Sequence, residues 1–257
     1  MSAREALAKW WFPIEDYRGK RPSVWLLGGA GVEQAWTANP LIPLIGNYDF
    51  AVWRMPGRGV RKDDPEPTSM RAVGRELAES IAAIGAVRPV VAGLSSGGLL
   101  AFIATQELEK LGVEVGRFIP IVSTCPNEWR VGAAYAWMTG GPTRYAKRRL
   151  AAADKAGKLP PELSGPNRQA MLRPYIVDLT TGFRAWSHTT ITTPITDISA
   201  SDDARLRITH AKRWRRYTRG DFDSIITTGG HLFYRDHPEI VSRVLDRESD
   251  IAYSGGF

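Results

Sequence analysis

The stretch Gly93–Gly97, which reads Gly-Leu-Ser-Ser-Gly, constrains the fold of this chain more than any other feature. It follows the short apolar run 89–92 and precedes a segment from Gly98 to Leu111 with a helical pattern. A G-x-S-x-G sequence between a strand and a helix is typical of a sharp turn that exposes the serine, and glycines avoid collisions there. We therefore predict that Ser95 is a nucleophile and that the amide of Ser96 faces the same space. The alternative is an ordinary glycine-rich turn.

A catalytic serine needs a general base, because its hydroxyl is a weak nucleophile on its own. The chain has four histidines, of which His231 lies on a Gly-Gly loop after the apolar run 222–226. The carboxyl ends of parallel strands share one edge of a sheet, so His231 can reach a serine on a neighbouring strand. We interpret His210 and His237 as surface residues of helical segments. His188, in a segment of undefined structure, is the one competitor.

The third expected residue is an acid that follows the serine and precedes the histidine in the sequence. The run 194–198 predicts a buried strand, and Asp202 and Asp203 come shortly after it. An aspartate at this place can hold the ring of His231 in the tautomer that accepts the serine proton. We favour Asp203 over Asp202. Either aspartate could instead cap a following helix.

Strand and helix signals alternate over most of the chain. The predicted strands at its start are 24–27 and 48–54, with a later one at 117–123, and Ser69–Gly85 has apolar side chains at helical spacing. This alternation indicates an α/β fold with a mostly parallel central sheet and helices on both faces. We expect a single domain over residues 1–257.

The alternation is interrupted between about residues 126 and 193. A connection of this length is usually functional, and we expect a helical insertion that forms a lid over the site. Its large aromatic side chains could line a channel for an apolar substrate chain, or could only hold the insertion onto the rest of the domain. These side chains are Trp129, Trp137, Phe183 and Trp186.

Composition excludes several classes of protein. The chain has 257 residues, of which 43% are apolar and 24% charged, as in ordinary globular proteins. The first 20 residues hold no continuous apolar run, and we expect no secretion signal and no membrane span. The single cysteine, Cys125, fits a reducing cytoplasm and is interpreted as a packed apolar residue rather than a second nucleophile. No nucleotide-binding or zinc motif is present, so we expect no cofactor and no metal.

The formal net charge of the chain is +7. A basic cluster lies at residues 212–219 and comprises Lys212, Arg213, Arg215, Arg216 and Arg219. This cluster is either a solvated helix face or a docking surface for an acidic partner protein. Because no nucleic-acid-binding motif accompanies the charge, we do not expect nucleic acid as a partner.

Five short motifs are spaced along the chain. They are Leu27–Gly31, Pro56–Gly59 with Pro65–Pro67, Gly93–Gly97, Leu159–Glu162 and Gly229–Phe233. In this order they resemble the motifs of the type II (editing) thioesterases of polyketide and non-ribosomal peptide biosynthesis, which have the α/β-hydrolase fold. The resemblance covers nearly the whole chain, from about Trp25 to Leu245.

The resemblance implies roles for individual residues. The catalytic acid of the family ends a loop that corresponds to Ala200–Asp203, which supports Asp203. The first oxyanion-hole amide of the family comes from the loop matching Leu27–Gly31; we assign it to Gly29, and the second to Ser96. The implied substrate is an acyl chain on the phosphopantetheine arm of an acyl carrier protein or peptidyl carrier protein. We expect a monomer that hydrolyses this thioester in the cytoplasm through an acyl-enzyme on Ser95.

The sequence departs from the family pattern at several positions. Leu94 and Ser96 flank the serine where the family has a histidine and an apolar residue, and Gly28 replaces a histidine or phenylalanine. The arginine–aspartate pair that follows the lid proline in the family is not evident at residues 174–179. Release or cyclisation of a chain by acyl transfer, or general ester hydrolysis, therefore remains an alternative. A non-catalytic binding protein is a further alternative, but it would be expected to lose residues of the triad.

Overall fold

The computed structural model describes residues 1–11, 24–32, 39–41, 50–156, 159, 167–203 and 213–254. Within these residues the sheet has seven strands in the order β1-β3-β2-β4-β5-β6-β7. The strands are β1 (Trp10–Trp11), β2 (Val24–Leu27), β3 (Phe50–Trp53), β4 (Val90–Leu94), β5 (Arg117–Ile121), β6 (Ile195–Ala200) and β7 (Phe222–Thr227). All neighbouring strands are parallel except β1, which runs antiparallel to β3. The predicted mostly parallel sheet is thereby confirmed, and the short edge strand β1 is an addition that the sequence pattern does not indicate.

Helices lie on both faces of this sheet. They are α1 (Ala3–Leu7), α2 (Met70–Ile84), α3 (Gly97–Lys110), α4 (Pro126–Met138), α5 (Pro142–Lys155), α6 (Asn167–Phe183), α7 (Phe233–Asp236) and α8 (Pro238–Ser254). In the part of the chain that the structure describes, short 3₁₀ helices occupy Gly59–Arg61 and Trp214–Tyr217. No helix in the described part of the chain is both long enough and apolar enough to cross a lipid bilayer.

The two faces of the sheet bury separate apolar clusters. Val91 of β4 belongs to the same cluster as Leu77 of α2 and Phe102 of α3. Its neighbour Val90 belongs to the opposite cluster, which includes Val241 of α8. Successive side chains of a strand point to opposite faces, so a strand that is buried on both faces must be apolar throughout. This explains why β4 reads as a continuous apolar run in the sequence.

Helix α2 shows how local sequence sets the bounds of an element. The Ser69 hydroxyl accepts a hydrogen bond from the amide of Ala72 at 3.3 Å and caps the amino end of the helix. Gly85 ends the helix with φ at +74°, a conformation that costs glycine little. Both ends therefore agree with the predicted segment Ser69–Gly85 to within one residue.

Among the described residues between β5 and β6, where a helical insertion is predicted at about 126–193, three helices are present. These helices, α4, α5 and α6, are called the insertion below. Of the motif Leu159–Glu162, only Leu159 belongs to the described residues. Aromatic contacts join the three helices, because the Phe183 ring lies 5.7 Å from that of Trp129 and 5.9 Å from that of Tyr145.

Candidate active site

Ser95 lies in a strained turn between β4 and α3. Its φ angle is +54°, in the left-handed region that residues other than glycine seldom adopt. The Ser95 amide donates a hydrogen bond of 2.9 Å to the carbonyl of Ile121, so the turn is held against the end of β5. Backbone strain of this kind persists only where the surrounding structure enforces it, and it is concentrated at functional sites.

The glycines around this turn are required by close backbone packing. A Cβ atom on Gly93 would lie 2.3 Å from the carbonyl oxygen of Gly97. A Cβ atom on Gly97 would lie 2.4 Å from the carbonyl oxygen of Gly28, on the loop that follows β2. No side chain fits at either distance, which agrees with the predicted reason for glycine at both ends of the motif.

The structure brings the three predicted side chains into one hydrogen-bonded series. The Nε2 atom of His231 lies 2.9 Å from Oγ of Ser95, and its Nδ1 atom lies 2.6 Å from Oδ2 of Asp203. The Asp203 side chain is only 2% exposed, whereas that of His231 is 16% exposed. A carboxylate beside Nδ1 favours the tautomer with the proton on that nitrogen, which leaves Nε2 to accept a proton from Ser95.

The two adjacent aspartates contact different parts of this arrangement. Asp203 faces the imidazole, while the carboxylate of Asp202 accepts a hydrogen bond of 3.2 Å from the amide of Gly229. The Asp202 amide in turn donates to the Gly229 carbonyl at 3.0 Å. Gly229 has a φ angle of +105° and begins the loop that carries His231. Asp202 therefore holds the histidine loop, and Asp203 contacts the histidine itself.

The other histidines lie elsewhere or outside the described residues. The His188 ring packs 5.4 Å from the Trp186 ring, and the exposed His237 lies 3.4 Å from a Glu239 carboxylate oxygen. His210 is outside the part of the chain that the structure describes. Neither His188, the one competitor, nor His237 is hydrogen-bonded to Ser95 or Asp203.

The predicted oxyanion residues both lie beside the serine. A Cβ atom on Gly29 would lie 3.6 Å from the Cβ atom of Ser95, so the loop after β2 passes directly against the nucleophile. Ser96 is the N-cap of α3, and its amide lies at the positive end of the helix dipole. Their role as hydrogen-bond donors to an oxyanion stays a prediction.

Asp178 is a site residue that sequence reasoning missed. This residue of α6 accepts two hydrogen bonds from the Arg58 guanidinium, at 2.6 and 3.0 Å, and one from the Gly31 amide at 2.8 Å. The Arg58 and Asp178 side chains are only 8% and 6% exposed. The arginine–aspartate pair that the family resemblance leads one to expect is thus not formed within α6. Asp178 instead pairs with Arg58, which lies on another loop. It ties the insertion to the loop that carries Gly29.

The four aromatic residues of the predicted channel divide into two groups. Trp129 and Phe183 are buried and pack against each other, which matches the alternative that they hold the insertion in place. Trp137 is 61% exposed, and Trp186 is 37% exposed with the Arg130 guanidinium over its ring. A channel role for any of them stays a prediction.

Cys125 is poorly suited to act as a second nucleophile. It is 2% exposed, and burial together with the nearby Glu128 carboxylate raises the pKa of its thiol to about 12. The reactive thiolate is therefore scarce at neutral pH. Among the described residues, no group of three or more histidine, cysteine, aspartate or glutamate side chains is arranged to hold a metal ion.

Comparison with known proteins identifies relatives of this chain. A probable cadicidin biosynthesis thioesterase from Streptomyces griseus is 27% identical over 195 residues, which is 73% of this chain and 51% of the relative. The chain thus spans about half the length of this curated relative. Among solved structures, the type II thioesterase BorB from the borrelidin biosynthetic cluster superimposes with a TM-score of 0.77 at 17% identity, over 93% of this chain and 97% of BorB.

A second solved structure and a family model complete the comparison. The thioesterase RedJ from the prodiginine pathway of Streptomyces coelicolor gives a TM-score of 0.73 at 21% identity, over 88% of this chain and 85% of RedJ. At these identities the two structures establish the fold, which is the α/β-hydrolase fold. The model of the thioesterase domain family matches residues 43–248, which is most of the chain. The chain therefore belongs to the thioesterase domain family.

Proposed function

We propose that this protein is a type II thioesterase that hydrolyses acyl thioesters on carrier proteins of polyketide or non-ribosomal peptide biosynthesis. The observation that carries the proposal is the hydrogen-bonded series Ser95–His231–Asp203, found in a chain of the thioesterase domain family. The names of the similar proteins, all from biosynthetic pathways, support the substrate class. The single cysteine fits action in the cytoplasm.

The first half-reaction transfers the acyl group from sulfur to the enzyme. His231 takes the Ser95 proton at Nε2 as Oγ attacks the thioester carbonyl carbon. The carbonyl π electrons move to oxygen, and the amides of Gly29 and Ser96 stabilise this oxyanion, each by about 2.7–4 kcal/mol. When the intermediate collapses, the carbon–sulfur bond breaks and the thiol leaves with the proton from His231. The product of this half-reaction is an ester on Ser95.

The second half-reaction returns the enzyme to its starting state. His231 now takes a proton from water, whose oxygen attacks the ester carbonyl. The same two amides stabilise the second oxyanion, and the Ser95 oxygen leaves with the proton from His231. Asp203 stays ionised throughout and stabilises the imidazolium. The thiol leaves readily in the first half-reaction, and His231 protonates the Ser95 oxygen in the second, so neither half-reaction requires a metal ion.

Product analysis on a panel of acyl donors tests the proposal. The panel contains an acyl carrier protein with an acyl-phosphopantetheine arm, an acyl-N-acetylcysteamine thioester and an oxygen ester of the same acid. We expect the free acid as product, faster hydrolysis of both thioesters than of the oxygen ester, and loss of all activity in Ser95→Ala. Cyclised or transferred products would instead support the acyltransferase alternative, and preference for the oxygen ester would support a general esterase.

A further inference from the structure

The outward side of α4 in the insertion is apolar although it faces solvent. Four large side chains of α4 are more than half exposed: Val131 (59%), Tyr135 (55%), Trp137 (61%) and Met138 (79%). Val131, Tyr135 and Met138 are spaced four and three residues apart and so share one helix face. A surface helix normally turns polar residues outward, and a contiguous exposed apolar patch marks an interaction site.

Exposed cations lie on the two helices α4 and α5. Exposed Arg130 lies on α4 just before Val131, the first residue of the apolar stripe. Exposed Arg144 of α5 lies near the other end of the stripe, because a Cβ atom on Gly140 would be 2.7 Å from the Cδ atom of Arg144. Lys147 and Arg148 of α5 are also exposed. Within α4 and α5 the acidic residues are Glu128 and Asp154, both partly buried, and Glu128 pairs with Arg213 at 2.7 Å. The exposed charge of this side is therefore positive.

The helices that carry the apolar and the basic residues pack against each other. The Tyr135 ring on α4 lies 6.1 Å from the Tyr145 ring on α5. We define the insertion face as the four apolar residues and the four cations together. They are Val131, Tyr135, Trp137, Met138, Arg130, Arg144, Lys147 and Arg148.

The helix that carries the apolar stripe begins near the edge of the sheet where the chemistry is located. Helix α4 begins at Pro126, five residues beyond Ile121, whose carbonyl accepts the hydrogen bond from the Ser95 amide. A partner bound to α4 would therefore contact an element that starts at the catalytic edge of the sheet.

Of the basic cluster at residues 212–219, Lys212 lies outside the described residues, and the described part, 213–219, lacks the apolar component. Arg215, Arg216 and Arg219 are exposed, but the aromatic residues between them, Trp214 and Tyr217, are buried at 1% and 5% exposure. Specific interfaces combine a desolvated apolar centre with a polar rim. Of the two basic surfaces described, the insertion face has both parts.

We propose that the insertion face docks the carrier protein, an acidic partner that covers the apolar stripe and pairs with the cations of this face. This inference rests on the function proposed above and adds the place of docking. Opposite charge favours this partner, because complementary potentials speed encounter and fix orientation. A second copy of the chain is disfavoured, since two such faces would bring like charges together.

Binding measurements on Ser95→Ala protein test the docking without turnover. The probe is an acyl carrier protein whose phosphopantetheine arm carries a short acyl chain. The test variant reverses three cations of the insertion face (Arg144→Glu, Lys147→Glu, Arg148→Glu). The matched control reverses three exposed arginines of the other surface (Arg215→Glu, Arg216→Glu, Arg219→Glu) and so changes the net charge equally.

We expect the test variant to raise the Kd by at least about ten-fold, because three attractive contacts become repulsive, and the control by less than about two-fold. A second variant combines Val131→Ser with Met138→Ser. It should weaken binding even at 0.5 M salt, where the screening length for exposed charges is about 4 Å. This variant also decides the question if the charge reversals fail to fold. Equal weakening by test and control variants, or none by either insertion-face variant, would overturn the proposal.

Three further measurements separate this proposal from the proposed function and from other occupants. Wild-type protein that hydrolyses no thioester would contradict the proposed function, while the Kd comparison would still decide the docking. A dimer in sedimentation that the test variant dissociates would overturn the proposal in favour of a second copy. Binding to phosphatidylglycerol vesicles that the test variant loses would overturn it in favour of a lipid surface.

Discussion

Asp202 and Asp203 are adjacent in the sequence, but at the scale of single residues their carboxylates have separate tasks. Asp203 is buried and lies 2.6 Å from Nδ1 of His231. Asp202 instead accepts a hydrogen bond from the Gly229 amide and so supports the loop that carries the histidine. Removing the Asp203 charge should therefore affect catalysis differently from removing the Asp202 charge.

We expect Asp203→Asn to lower kcat for an acyl-N-acetylcysteamine thioester by about 10⁴-fold, because the asparagine amide favours the wrong tautomer of His231. The control Asp202→Asn keeps an oxygen that can accept from Gly229 and should cost less than about ten-fold. Steady-state kinetics of both variants measure this. A larger loss in Asp202→Asn would move the acid of the triad one residue upstream.

Asp197 in β6 is a buried acid that contacts none of the catalytic side chains. Burial raises the pKa of Asp197 to about 8, although the Ser199 hydroxyl donates a hydrogen bond to it at 2.9 Å. The folded-state pKa lies above the unfolded value near 4, so the folded protein binds an extra proton between these values. The contribution of Asp197 to stability is therefore fully present below pH 4 and is lost as pH rises towards 8.

Asp197→Asn should remove the loss of folding stability that Asp197 causes as pH rises. We expect the free energy of unfolding of the variant, relative to wild type, to increase as pH rises from 5 to 8, by at most about 1.4 kcal/mol per pH unit. Urea unfolding of both proteins across this range measures the difference, and exposed Asp223→Asn on the adjacent strand is the control. A difference that is independent of pH would show that Asp197 is ionised in the folded protein.

At the scale of elements, one side chain links the insertion to the catalytic edge of the sheet. Asp178 of α6 binds both the buried Arg58 guanidinium and the Gly31 amide. A second pair, Arg173 with Glu66, joins the same helix to the loop after Arg58 and is also bidentate, at 2.7 and 2.9 Å, but it is exposed. One buried ion pair and one exposed ion pair therefore join α6 to the loop region that contains Arg58 and Glu66.

We expect Asp178→Ala to reduce the free energy of unfolding by about 3–5 kcal/mol, because it leaves the buried Arg58 charge without its partner. Glu66→Gln breaks the exposed pair and should have a much smaller effect. The Asp178→Ala variant should also lose kcat, since the loop with Gly29 loses its anchor, whereas Glu66→Gln should not. Urea unfolding and steady-state kinetics of both variants check these outcomes. Equal effects of the two variants would contradict a special role for the buried pair.

Local patterns explain which elements could be predicted from the sequence. The bounds of α2 follow from Ser69 and Gly85, and the turn at Ser95 follows from its glycines, because each signal lies within a few residues. The pairing of Arg58 with Asp178 joins positions 120 residues apart, and only the fold brings them together. Strand β1 was missed for a similar reason, since two residues give no periodicity. Catalytic roles for the triad stay predictions, although the geometry agrees with them.

At the scale of the whole molecule, the net charge of +7 affects how partners approach. The described cations include two exposed groups, one on the insertion face and one around Arg215, Arg216 and Arg219. Both contribute to the long-range field, which attracts acidic proteins whatever surface they finally contact. Long-range attraction and local docking therefore need separate measurements.

Ionic strength separates carrier substrates from small ones. We expect KM for an acyl carrier protein substrate to rise between 0.05 and 0.5 M NaCl, because the screening length falls from more than about 10 Å to about 4 Å. KM for an acyl-N-acetylcysteamine thioester should stay nearly constant, since this small neutral substrate makes no extended contact with the surface. A rise that is equal for both substrates would point to an effect of salt on the site or the fold.

The central claim is that Ser95 receives an acyl group from a thioester, and mass spectrometry of the quenched enzyme tests it most directly. The enzyme is mixed with excess acyl-N-acetylcysteamine, quenched in acid during turnover, and digested for peptide mapping. We expect the mass of one acyl group on the peptide that contains Ser95, and no adduct in Ser95→Ala. Turnover without any adduct on Ser95, or an acyl group on Cys125 instead, would contradict it.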